Sequence, residues 1–223
     1  MAEAHAESLA VNDWSGGVHP YRVGHRKLGM WLFIMSDSLT FGALLIVYSY
    51  ARASSVSWPT PFAFSPSILF SSVMTLVLLS SSLTMVFAVS AAKQGKLGSA
   101  RKWLLATMVL GLTFVVLHLM GWRHLMVDEG LQPFELPKEW TEPGKWPGAS
   151  PLFGSTFFGI TGLHMFHVLT GVCYLGVVLA RIKKMKEDVE VSGLYWHFVD
   201  LVWMFVFPLI YLLSVDYHHV LGK

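Results

Sequence analysis

Cysteine is nearly absent from this 223-residue chain, which has one, Cys173. No intramolecular disulfide can form, and a thiolate-ligated metal cluster has too few ligands. Cys173 stands inside an apolar run, where a buried and inert thiol is expected. Charge is also scarce, at 13% Asp, Glu, Lys and Arg, against about 25% in an ordinary soluble domain. The formal net charge is +2, and no Lys/Arg tract stands apart from the flanks of apolar segments. A nucleic-acid partner is therefore excluded. Residues 1–20 lack the basic start and apolar core of a secretory signal; Glu3, Glu7, Asn12 and Asp13 mark them as a water-exposed tail. No internal repeat is evident, which argues against an inverted-repeat transporter.

What is present is apolar material, 54% of the chain, gathered into long runs. A helix needs roughly 20 mostly apolar residues to cross a bilayer core. Five runs qualify, at about 28–50, 68–92, 103–122, 152–180 and 198–215. The fold class expected is an all-α integral membrane bundle of five transmembrane helices. Residues 1–27 form its N-terminal tail and 28–223 its transmembrane domain. Ser57-Trp-Pro-Thr-Pro61 reads as a turn between the first two runs. The connection from Arg123 to Pro151 holds five prolines and five acids, and so many lost donors favour an irregular external loop.

Basic residues orient the bundle. Eleven of the sixteen Lys and Arg fall on one side: Arg22, Arg26 and Lys27 before the first run, Lys93, Lys96, Arg101 and Lys102 between the second and third, and Arg181, Lys183, Lys184 and Lys186 between the fourth and fifth. The positive-inside rule then places the N-terminus in the cytoplasm and the C-terminus outside. An odd number of spans requires termini on opposite sides, in agreement with this.

Polar groups at membrane depth are costly, and each is a candidate site. Asp37 lies nine residues into the first run, roughly 14 Å deep at about 1.5 Å per residue. That is near the midplane of a core about 30 Å thick. A packing hydrogen bond and a proton- or lipid-related role both fit it. His164 and His167 in the fourth run share a helix face through their i,i+3 spacing. Interhelical hydrogen bonding is the reading favoured for them; a bis-His haem would need His118 as second ligand. Their depth matches that of Asp37, which makes either histidine a candidate partner for it. The hydroxyls at Ser71, Ser72, Thr75, Ser80, Ser81, Ser82 and Thr84 suit close helix packing. Trp31, Trp103, Trp122, Trp196, Tyr195 and Tyr211 fall near run ends, as an interfacial aromatic belt would.

Tyr195-Trp196-His197-Phe198-Val-Asp200-Leu-Val-Trp203 carries a family resemblance. In the run boundaries above it sits at the cytoplasmic end of the fifth span. The stretch resembles the signature of subunit III of the haem-copper terminal oxidases. Gly29-Met-Trp-Leu-Phe-Ile-Met-Ser-Asp37 and His164-Met-Phe-His-Val-Leu-Thr-Gly171 extend the resemblance. Five spans match the shorter bacterial form, and the third span resembles the family least.

The resemblance implies an accessory subunit with no catalytic residues, no metal and no cofactor of its own. Haem and copper would reside in partner subunits, and this chain would pack against catalytic subunit I and other oxidase subunits. Bound phospholipid, support of proton uptake and a multi-pass place in the bacterial plasma membrane are implied with it. Asp37 corresponds to the family's intramembrane carboxylate, and Arg181 to a basic position associated with lipid headgroups. Near the outer end of the third span, His118-Leu-Met-Gly-Trp122-Arg-His124 departs from the family's acidic pattern. The electron donor could be cytochrome c or quinol, with Asp37 leaning to quinol. An accessory subunit of nitric oxide reductase and a stand-alone proton or ion carrier are the alternatives.

Overall fold

The computed structural model describes residues 24–141, 146–182 and 186–215. The tail up to residue 23, the C-terminal residues 216–223, and Arg22, Lys145, Lys183, Lys184 and Lys223 lie outside the described residues. Among the described residues the chain is all-helical, with two isolated bridge contacts and no strand. Its helices are α1 (His25–Ser54), α2 (Leu69–Lys93), α3 (Leu97–Arg123), α4 (Lys138–Thr141), α5 (Leu152–Arg181) and α6 (Lys186–Val206). Five segments, all but α4, are long and apolar enough to cross a membrane.

Packing places α6 at the centre. It contacts α1, α2 and α5, while α5 also contacts α1 and α3, and α2 pairs with α3. Half of the most apolar window of the fifth span is buried, against 6% for α1. Helix α1 is therefore a peripheral element laid on α5 and α6. The α2–α3 hairpin turns at Gly95, whose φ of 75° suits glycine. There Gly95 N–H donates to the Ala92 carbonyl and Lys96 N–H to the Ala91 carbonyl, at 3.0 and 2.9 Å. These two bonds form a Schellman cap.

The basic ends of α1, α2 and α6 meet. Arg26 pairs with Asp188 at 2.6 Å, and Lys27 and Lys93 both reach Glu190, at 2.9 and 3.5 Å. At the opposite end the connections fold over the bundle. Phe62 N–H donates to the Ser214 carbonyl at 3.3 Å, and Leu131 and Trp140 are buried. The described part of the 123–151 connection is thus more regular than an irregular loop: helix α3 runs on through a wider turn at His124–Asp128, and α4 is helical. Burial of Leu131 and Trp140 supplies the packing that its prolines remove from regular hydrogen bonding.

Three expectations change. Helix α6 starts at Lys186, well before residue 198, because the acids of its first turns pair with α1 and α2 cations and can enter the helix. Trp196, Tyr195 and Tyr211 are buried, at 1%, 7% and 6% exposure, so they belong to the core and not to an interfacial belt. Cys173 is exposed on the outer face of α5, because the buried stripe of that helix passes through Val172 and Leu175 instead. Near the far end, the helical ladder widens at Phe207–Tyr211, where Pro208 has no N–H to donate.

Candidate functional site

Helices α1 and α5 bring Asp37 and His167 together. Asp37 Oδ1 lies 3.3 Å from His167 Nε2, and both side chains are about nine-tenths covered, at 12% and 11% exposure. The Phe41 ring, one turn along α1, packs edge-on against the imidazole with centroids 5.3 Å apart. Asp37 is twelve residues from the start of α1 and His167 fourteen from the end of α5. At about 1.5 Å per residue, both sit roughly 20 Å from the basic end.

The other ring nitrogen fixes the proton arrangement. His167 Nδ1 lies 2.8 Å from the Leu163 carbonyl, and a carbonyl only accepts, so Nδ1 carries a hydrogen. The contact between Nε2 and Asp37 then needs one further proton. Either a neutral Asp37 donates to Nε2, or an imidazolium donates to a carboxylate. Both arrangements have zero net charge, so the proton can shift within the pair without creating a lone charge at membrane depth. Asp37 Oδ2 is buried and has no partner among the described residues. The His167 carbonyl accepts from the Tyr195 hydroxyl at 2.9 Å, and Thr170 lies 2.9 Å from that same hydroxyl. The pair is thereby tied to α6.

His164 is separate from Asp37 and faces α6. Its Nε2 donates to the Val199 carbonyl at 3.0 Å, and it is fully buried. Its ring packs on Trp203 and Phe114, with centroids 4.9 and 5.7 Å away. His118 of α3 packs on the same two rings, at 5.5 and 5.6 Å. The region around these two histidines is therefore aromatic core. Among the described residues no three or more His, Cys, Asp and Glu side chains gather as a metal site would require.

The 195–203 stretch proves to be a set of docking contacts. Trp196 Nε1 donates to Ser81 Oγ and Trp203 Nε1 to Thr75 Oγ1, both at 3.0 Å, and His197 Nδ1 lies 3.0 Å from Ser82 Oγ. Phe198 is buried. The Trp196 ring occupies a slot between two helices: a Cβ added at Gly111 of α3 would lie 2.5 Å from it, and one at Gly171 of α5 would lie 3.1 Å from it. One side chain thus touches α2, α3 and α5. Asp200 is buried one turn beyond Trp196, fourteen residues into α6. These residues lie near mid-span and not at its edge, since the helix begins at Lys186. Arg181 ends α5 and is exposed at the basic end.

Reasoning from the sequence missed the receiving positions: Gly111 and Gly171, and the pairing of individual hydroxyls with individual tryptophans. A signal exists in the spacing. Trp196 and Trp203 are seven apart and Thr75 and Ser81 six, which is the register of two antiparallel helices. Asp188 and Glu190 likewise fall between the fourth and fifth apolar runs, outside any expected helix.

The family described as "Cytochrome c oxidase subunit III" matches residues 143–215, which hold α5 and α6. Cytochrome c oxidase subunit 3 of Alkalihalophilus pseudofirmus is 31% identical over 208 residues, covering 88% of this chain and 93% of the relative. The chain belongs to the cytochrome c oxidase subunit III family. The corresponding subunit of Corynebacterium diphtheriae is 32% identical over 197 residues, 84% of this chain and 88% of that one. Cytochrome bo(3) ubiquinol oxidase subunit 3 of Pseudomonas putida is 30% identical over 194 residues, with 84% and 86% coverage. Family membership and five spanning helices make this a multi-pass membrane protein of the haem-copper oxidase group. The Asp37–His167 pair, the slot for Trp196 and the ion pairs at the basic end are features of this chain's own structure.

Proposed function

We propose that the chain is the accessory subunit III of a bacterial proton-pumping haem-copper respiratory oxidase. It sits in the plasma membrane with residues 1–27 in the cytoplasm, and its 28–223 portion packs against catalytic subunit I. Haem and copper belong to the partner subunits. The observation that carries this reading is the 31% identity to an oxidase subunit 3 over 88% of the chain. The cation distribution supports the orientation, and the bacterial relatives support the location.

Within that role, Asp37 and His167 form a one-proton reservoir at membrane depth that supports proton supply during sustained turnover. What supports this is the 3.3 Å contact and the committed Nδ1 donor. His164 holds α5 to α6 and takes no part in the exchange. Arg181, exposed where α5 ends, meets phospholipid headgroups, as a cation at the interface is suited to do.

Purification from native membranes tests the assignment. The chain should copurify in fixed ratio with a haem-containing polypeptide, and stable isolation alone with ion-transport activity would overturn it. A second reading, with quinol as electron donor, draws on the 30% identical Pseudomonas putida relative. Oxygen consumption with reduced cytochrome c against reduced quinol separates the two.

A further inference from the structure

The outward face of α6 differs from the rest of the bundle's surface. Along α3 the exposed positions Leu105, Val109, Leu112 and Val116 are apolar, and Thr113 satisfies its hydroxyl on the Val109 carbonyl at 2.9 Å. Such a face suits acyl chains. On α6 the outward stripe at i, i+4, i+7 and i+8 is His197, Leu201, Met204 and Phe205. The last three are 55%, 44% and 55% exposed, and His197 is partly exposed.

His197 gives the stripe a polar requirement. Its Nδ1 is held by Ser82 of α2 at 3.0 Å, and its Nε2 has no partner among the described residues. It lies eleven residues into α6, roughly 16 Å from the basic end at about 1.5 Å per residue. Acyl chains offer no hydrogen bond there, and an unsatisfied polar group in hydrocarbon is costly. Asp200, one turn on, also keeps a buried Oδ1 without a partner among the described residues. Beside the stripe runs a groove of about 270 Å³ between α1 and α6, lined by Phe41, Gly42, Leu45, Leu201 and Phe205. A Cβ at Gly42 would meet nothing within 4 Å, so a second backbone can approach α1 closely there.

We infer that the α1–α6–α2 face, with His197 at its centre, is where a transmembrane helix of the neighbouring haem-bearing oxidase subunit docks, bringing a hydrogen-bonding side chain to His197 Nε2 at mid-depth. The inference rests on the oxidase-subunit reading and names the surface that reading leaves open. Hydrogen-bond complementarity selects the occupant. A phospholipid tail satisfies the apolar shoulders and leaves the imidazole unpaired. A helix with one polar side chain satisfies both.

The test is photo-crosslinking in native membranes, with a photoreactive residue at Leu201 and, separately, at Val116 on α3. The Leu201 probe should yield an adduct with the haem-bearing polypeptide, and the Val116 probe should not. Such an adduct from Val116 alone would overturn the surface and leave the oxidase reading standing. A Leu201 adduct with a second copy of this chain, or with phospholipid only, would overturn the surface too. Absence of a haem-bearing adduct from both, in membranes where the chain is inserted, would overturn the oxidase reading itself. In parallel, His197→Leu should lower the fraction of chain retained on the detergent-washed complex several-fold, and His197→Gln should restore it. Equal retention of both variants, at unchanged thermal stability of the complex, would remove His197 as the anchor.

Discussion

The ring of Trp196 occupies the space that a side chain on Gly111 would need. A Cβ built there lies 2.5 Å from the indole, inside any normal carbon contact, and both partners are in the core. Gly111→Ala must therefore displace the indole or separate α3 from α6. Overpacking of this kind costs about 1–3 kcal/mol. Gly159→Ala on α5, where a Cβ meets nothing within 4 Å, should be neutral or slightly stabilising. Thermal unfolding of the purified complex in detergent compares the two, and equal midpoints would show that the slot yields without cost.

The indole's other contact is the hydrogen bond to Ser81 at 3.0 Å. Hydrogen bonds between membrane helices contribute about 0.6 kcal/mol on average, with a maximum near 1.7. A double-mutant cycle of Trp196→Phe and Ser81→Ala should show a coupling energy of that size. The single change Trp196→Phe should cost more than Ser81→Ala, because it also empties part of the slot between Gly111 and Gly171. Additive effects in the cycle would mean that the contact adds nothing beyond packing.

How far this fold was legible beforehand differs by element. The apolar runs of α1, α2 and α5 are bounded by charge or by proline, so their ends were readable to within a few residues. The start of α6 was not, because Lys186-Glu-Asp-Val-Glu reads as a polar connection until Arg26 and Lys27 are placed beside it. Hydropathy scores a charge by itself and cannot see its neutralisation by another helix. Trp196 and Tyr195 were misread through the same late boundary: placing a span end at residue 198 turns two core aromatics into interfacial ones. Asp37 was legible as an expensive group, and depth matching narrowed its partner to His164 or His167. Only the rotation of α5 against α1 separates those two, and periodicity within one helix carries no information about rotation relative to another.

The ion pairs at the basic end should be unequal. Asp188 is buried, its side chain 8% exposed, and it faces Arg26 at 2.6 Å. Glu190 is 36% exposed and shared between Lys27 and Lys93. Exposed pairs contribute about 0–1 kcal/mol and are screened by salt. Glu190→Gln should therefore lower the unfolding midpoint slightly, by an amount that fades as salt is raised. Asp188→Asn should cost more and respond less to salt, because the carboxylate end of that short pair is shielded from water even though its Arg26 partner is 63% exposed. Equal, salt-sensitive losses in both would place Asp188 in water.

Asp37→Asn keeps a side chain of the same shape that donates from its amide to His167 Nε2, while the Leu163 carbonyl continues to hold Nδ1. The α1–α5 contact survives and assembly should be normal. What the variant lacks is a group that can pass a proton to and from Nε2. Activity in the first turnovers should then match the parent, and the rate or proton yield should fall over sustained turnover. His167→Gln should show the same pattern, since it also retains hydrogen bonding and loses the titratable ring. Infrared difference spectra provide a check independent of activity: a protonated-carboxyl band that disappears in Asp37→Asn and shifts in His167→Gln would report the proton within the pair. Full activity of both variants over many turnovers would reduce Asp37 to a packing residue that keeps α1 on α5.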